Sequence, residues 1–270
     1  MASPNIISVA SLLNAKYRKK LDNQGLLRPM ANETDVIWQQ MTLKNFSCLI
    51  DTKQLHLKAH SEYSDYDEVK LYEHVKPLIK ENGNPGVEAE NKLISKYNDL
   101  ERHMFISCWF NSRYLSDIVF NAYAKSPSGI AIGTTVKNLM DQLHIQEGKI
   151  QNIVSGNVQY IPRRDLLKGS LFEPSQIYAP IFLKGMQFRL DHEFRVCVFC
   201  EQPQALSISP AQLIRYIAVK DDDVFAILKS WEIASLFQNY FRIRIKEMDQ
   251  AYQGNGFKIF KVEQIGGMGP

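Results

Sequence analysis

Phe188-Arg-Leu-Asp-His-Glu-Phe-Arg195, running directly into Val196-Cys-Val-Phe199, is the stretch on which the fold turns. It reads as a buried strand with three ionisable groups, His192, Glu193 and Arg195, at its mouth. Residues two apart on a strand share a face, so Glu193 and Arg195 are expected side by side and His192 on the opposite face. A charged residue entering an apolar run is seldom fully buried unless it is paired, and Arg195 is the obvious partner. The pair reads either as a structural tie or as a site carboxylate beside a guanidinium.

Working outward, other segments alternate between strand and helix patterns. Ile6 to Leu21 carries helical spacing at Ile7, Val9, Leu12, Leu13 and Tyr17. Residues 22–33 read as a loop. Val36-Ile-Trp38 begins a strand, Thr42 is placed to cap a helix carrying Leu43, Phe46, Leu49 and Ile50, and Leu55-His-Leu-Lys-Ala59 alternates like a half-buried strand. The opening unit is therefore strand, short helix, strand. Met104 to Phe110, Ile130 to Thr135, Val154 to Ile161, Tyr178 to Leu183, Ile214 to Val219 and Phe257 to Val262 read as strands. Leu115 to Lys125, Val136 to Leu143 and Val224 to Phe241 read as helices.

Strands and short helices alternate irregularly, which predicts an α+β fold with a mixed, mainly antiparallel central sheet. Residues 62–100, rich in Glu, Lys, Asp and Tyr and interrupted at Pro77 and Asn82-Gly-Asn-Pro-Gly86, are expected to form a charged helical arm. The expected organisation is a core over 1–203 and a C-terminal helical extension over 204–270, packed on it. The helix at 224–241 is the expected contact for an oligomer.

The chain has 270 residues, 45% hydrophobic and 23% charged, with a net charge of +3. Such a charge is too small to imply nucleic acid or membrane binding by itself. No apolar run approaches the roughly 20 residues a membrane span needs. The N-terminus lacks the pattern of a secretory signal, so a cytoplasmic location and no membrane partner are expected. The four cysteines, Cys48, Cys108, Cys197 and Cys200, sit among apolar residues and read as free thiols.

Several motifs fall away on spacing. Cys197-Val-Phe-Cys200 lacks the second ligand pair that a zinc site needs, and residues three apart on a strand face opposite ways. His56 and His60 are spaced for one strand face, but no carboxylate at fixed spacing completes a metal triad. Neither a GxxxxGKS/T loop nor a GxGxxG turn is present, and there is no GxSxG. Gly129 reads as the turn into its strand. Asp65-Tyr-Asp-Glu68 reads either as the acidic start of a helix or as carboxylates lining a cleft.

Taken in order, these segments resemble a widespread bacterial family of uncharacterised proteins. Its strand-helix-strand opening ends in an "fNDPfE"-like motif, matched here by Val36-Ile-Trp-Gln-Gln-Met41, Asn45-Phe46, Leu55-His-Leu57 and Ser64-Asp-Tyr-Asp-Glu68. A "CW" strand, an "MWxxY" helix and a "GvaI" strand correspond to Cys108-Trp109, Val119-Phe-Asn-Ala-Tyr123 and Gly129-Ile-Ala-Ile132. The closing signature of Lys, Phe, Glu and Arg is matched by Lys184, Phe188, Glu193 and Arg195. The resemblance covers roughly residues 36–200. Phe120 stands where Trp is usual, Asp67 where Pro is usual, and Leu190 or Asp191 where the first Glu of the closing motif is usual.

A more remote similarity is to ADP-ribosyltransferases of the DNA-modifying toxin type. These share the strand-helix-strand opening, an aromatic residue on a later helix and a glutamate on a late strand. The similarity implies NAD as substrate, with no metal required. It implies Glu193, Arg195 and Tyr123 as catalytic residues, and Trp38, Gln39, Trp109 and Lys184 as contacts to NAD. The chemistry is coherent, because a carboxylate near the ribose stabilises an oxocarbenium-like state and an aromatic ring stacks on nicotinamide. The implied acceptor is a nucleic acid or a protein, and the setting a toxin or a defence factor. Two rivals stand beside it. One is a metal-dependent nuclease using Asp65, Asp67, Glu68 and Glu193. The other is a non-catalytic binding or assembly protein.

Overall fold

The computed structural model describes residues 5–13, 15–62, 87–112, 117–124, 128–144, 152–162, 165, 179–200, 205–219, 221–230 and 258–261. Its elements are β1 (Asn5–Ile6), α1 (Val9–Leu12), α2 (Ala15–Asn23), β2 (Val36–Thr42), α3 (Leu43–Thr52), β3 (Gln54–Leu55), β4 (Lys58–Ala59), α4 (Val87–Arg102), β5 (Met104–Asn111), α5 (Asp117–Tyr123) and β6 (Gly129–Thr135). They continue with α6 (Val136–His144), β7 (Asn152–Asn157), β8 (Gln159–Ile161), β9 (Leu183–Gly185), β10 (Glu193–Phe199), β11 (Leu206–Ser207), α7 (Pro210–Leu213), β12 (Tyr216–Val219), α8 (Asp222–Ser230) and β13 (Lys258–Lys261). Short helices and mainly antiparallel strands make this an α+β protein. No helix among the described residues is long and apolar enough to cross a membrane.

The chain divides into two units, each built from three stretches. One takes Met1–Ala31, Leu57–Cys108 and Gly148–Gln204, and the other Asn32–His56, Trp109–Glu147 and Ala205–Pro270. The boundary expected near residue 203 falls where the last stretch passes from one unit to the other. Beyond it the chain supplies strands β11, β12 and β13 as well as helices.

In the first unit β10 lies between β7 and β5, with β1 parallel to β7 on its other side. β7 and β10 are antiparallel, from Phe194 opposite Asn157 to Phe199 opposite Asn152. All seven residues of β10 are buried. A strand covered on both faces reads as a continuous apolar run, which is why Phe194 to Phe199 shows so little polar alternation. Cys197 and Phe199 pack with Val154, Met104 and Ile106 against Val9, Leu13, Tyr17, Leu21, Ile181, Phe182 and Leu183. The helix expected from Ile6 to Leu21 is two helices after a short strand. Leu13 is extended (φ −71°, ψ 142°) and ends α1, yet its side chain stays in the same core as those of α2.

In the second unit β2 and β6 pair antiparallel along their whole length, from Val36 opposite Thr135 to Thr42 opposite Gly129. β12 continues the sheet beyond β6, and β13 beyond β12. β2 also meets the end of β5, at Ile37 with Asn111 and Trp38 with Phe110. Trp38, Phe110, Val119, Phe120, Ala124, Ala131 and Ala218 form a core cluster. The expected cap is present, since the Asn45 N–H donates to Thr42 Oγ1 at 3.2 Å. Lys53, in the left-handed region at φ 54°, ends α3 and turns the chain into β3.

Three expected strands are corrected. Val154 to Ile161 is interrupted at Val158, where β7, paired with β1 and β10, gives way to β8, paired with β9. Leu55 to Ala59 is not continuous: β3 stops at Leu55 and pairs with β11, and β4 at Lys58–Ala59 pairs with β5. Different partners claim the two ends. Tyr178 to Leu183 gives way to a 3-10 turn at Ala179–Phe182, and the strand β9 begins only at Leu183. Pro180 lies in that turn, where its fixed φ and missing N–H oppose sheet pairing. Of the charged arm, Val87–Arg102 is helical and 63–86 lies outside the described residues. Of the C-terminal helix, Asp222–Ser230 is described and the remainder to Phe241 lies outside.

Candidate functional site

Glu193 is the first residue of β10, and the strand's pairing fixes its backbone. Its N–H donates to Tyr160 Oη at 2.8 Å, and its carbonyl accepts from Val158 N–H at 2.9 Å and from Arg28 Nη1 at 3.0 Å. The two-residue period places Arg195 on the same face, as the sequence predicts. Arg195 engages both carboxylate oxygens, Nε on Oε1 and Nη2 on Oε2 at 3.2 Å, and its Nη1 donates to the Ile181 carbonyl at 2.7 Å. Lys184 on β9 adds a second cation, 3.4 Å from Glu193 Oε2 and 2.9 Å from Asp191 Oδ2. The Phe188 ring centroid lies 4.6 Å from the same ammonium.

Asp191 and Glu193 thus face the cations of Lys184 and Arg195. Glu193 and Arg195 are 5% and 3% exposed. Burial alone would raise the Glu193 pKa, but the charges of Arg195 and Lys184, with hydrogen bonds from Arg195 and Cys108, hold it down at about 2. Burial pushes the Cys197 thiol, on the same face, up to about 12. Burial likewise raises the Tyr160 phenol, with the Glu193 charge adding to the effect. His192 is not on the strand. It closes the 3-10 turn Met186–Asp191 in the left-handed region at φ 41° and is exposed. Partial burial lowers its pKa, and the charge of Arg28 lowers it further.

The structure therefore brings Glu193, Arg195 and Lys184 into one buried cluster in the first unit. Trp38, Gln39, Trp109 and Tyr123 belong to the second unit. Trp38 and Trp109 are core residues, 3% and 1% exposed, and Trp38 Nε1 donates to the Ser112 carbonyl. Tyr123 is 44% exposed. Gln39 lines a cavity of about 400 Å³ together with Gln40, Met41, Asn45, Cys48, Leu49, Gln54, Leu55 and His56.

Asp65, Asp67 and Glu68 lie outside the described residues. Among the described residues no three His, Cys, Asp or Glu side chains gather as metal ligands. His56 ends its stretch of the second unit, and His60 lies in a 3-10 turn of the first, so the broken strand does not give them a common face. Cys197 and Cys200 are buried and in no disulfide, as core packing requires, whereas Cys48 and Cys108 are only half-buried.

Sequence reasoning missed Arg28, Tyr160 and Asp191 around Glu193, and the Cys48–His56 pair in the cavity. Arg28 and Tyr160 come from a loop and a strand end with no motif, so no spacing signal marked them. Asp191 was visible only as a substitution in the closing motif. The chain matches no family model, no curated protein and no solved structure.

Proposed function

We propose that the chain is an NAD-using enzyme of the ADP-ribosyltransferase type, with Glu193 as the carboxylate that orients the ribose. The Glu193–Arg195 pair carries this reading. It is a carboxylate kept ionised and held in one orientation on a rigid strand, as charge stabilisation at a developing cation requires. A nucleic acid or a protein is the acceptor in this reading.

A second reading is favoured by the saturation of Glu193. Both of its oxygens face cations, and the pair is buried. On that reading the network is a structural tie and the protein binds or assembles without catalysis. Nicotinamide release from NAD by the wild type and by Glu193→Gln, compared per folded molecule, separates the two. The first reading expects release by the wild type and at least a roughly 100-fold loss in the folded variant. No release by the wild type, or release that the variant does not alter, overturns it.

A further inference from the structure

The cavity in the second unit contains a pair of groups that the reading above does not use. Asn45, Cys48 and Leu49 project from one face of α3 by the i, i+3, i+4 rule. Lys53 then reverses the chain so that Gln54, Leu55 and His56 form the facing wall. Cys48 Sγ and His56 Nε2 lie 3.8 Å apart, within hydrogen-bond reach for sulfur. A thiol beside an imidazole is the arrangement that activates a cysteine nucleophile.

The rest of the lining narrows the ligand. Gln39, Gln40, Asn45 and Gln54 contribute carboxamides, Met41, Leu49 and Leu55 contribute apolar surface, and among the described residues no carboxylate, lysine or arginine takes part. Such a wall suits a small neutral molecule with a polar carbonyl rather than an ion.

We infer that Cys48 and His56 form a thiol nucleophile that takes an acyl group from a neutral activated ester or thioester bound in this cavity. His56 Nε2 accepts the thiol proton, and the thiolate attacks the carbonyl carbon. The tetrahedral adduct collapses, the bond to the alcohol or thiol leaving group breaks, and that group departs with the proton from His56. The product is an S-acyl Cys48. Water, deprotonated by His56, attacks the thioester, and the thiolate leaves and regains the proton, restoring the free thiol.

The test treats the full chain with p-nitrophenyl acetate and follows p-nitrophenolate release and intact mass. The expected result is a stoichiometric burst with one acetyl group on Cys48. Cys48→Ala abolishes the burst at an unchanged melting temperature, and His56→Asn slows it about 100-fold. Equal labelling of Cys48 and Cys108, or acylation of His56→Asn at the wild-type rate, overturns the inference. NAD is absent from this assay, so its outcome is independent of the nicotinamide-release test.

Discussion

Glu193 is held by two opposing effects, and their balance predicts its behaviour. Burial penalises its charge, while Arg195 and Lys184 favour it, and the cations win. A carboxyl whose pKa falls from an ordinary 4.5 to about 2 on folding stabilises the native state above the unfolded value. That contribution, of order 3 kcal/mol, fades as the pH drops from about 4.5 towards 2. Wild-type melting temperature is therefore expected to fall more steeply across that window than that of Glu193→Gln. Parallel curves measured by calorimetry would contradict the assignment. Removing one partner also strands charge. Glu193→Gln and Arg195→Met are each expected to cost about 3–5 kcal/mol. The double substitution is expected to cost clearly less than their sum, as a double-mutant cycle by urea denaturation would show.

At the scale of elements, the α3 cap and the β2–β6 register are the points where one atom decides. Thr42→Ala removes the oxygen that receives the Asn45 N–H and is expected to cost about 1 kcal/mol in urea unfolding. Gly133 lies directly opposite Trp38, and a Cβ placed there would come within 2.7 Å of the Trp38 ring at Cζ3. Gly133→Ala is expected to cost about 1–3 kcal/mol by overpacking, and a neutral result would mean that the ring has room to move. These elements also show what the sequence reveals. The Thr42 cap, α3, β6 and β10 are legible because periodicity, capping and apolar runs are local signals. The break between β3 and β4 is not legible, because strands distant in sequence claim its two halves. Asp191 and Lys184 converge on Glu193 through a turn and a separate strand, and spacing along β10 carried only Arg195.

For the whole molecule, the interleaving of three stretches in each unit explains why a single division of the chain near residue 203 was the natural expectation from sequence. Residues that build one core are separated by the stretches that build the other. The same interleaving places Glu193, Arg195 and Lys184 in one unit and Gln39, Trp38, Trp109 and Tyr123 in the other. The functional account then rests on Glu193 acting on a ligand rather than only securing its own strand. Nicotinamide release by Glu193→Gln, divided by the folded fraction measured by calorimetry in the same buffer, tests this most directly. The account predicts that the wild type releases nicotinamide from NAD and that the folded fraction of the variant is at least about 100-fold slower. A folded variant that releases nicotinamide at the wild-type rate would contradict it.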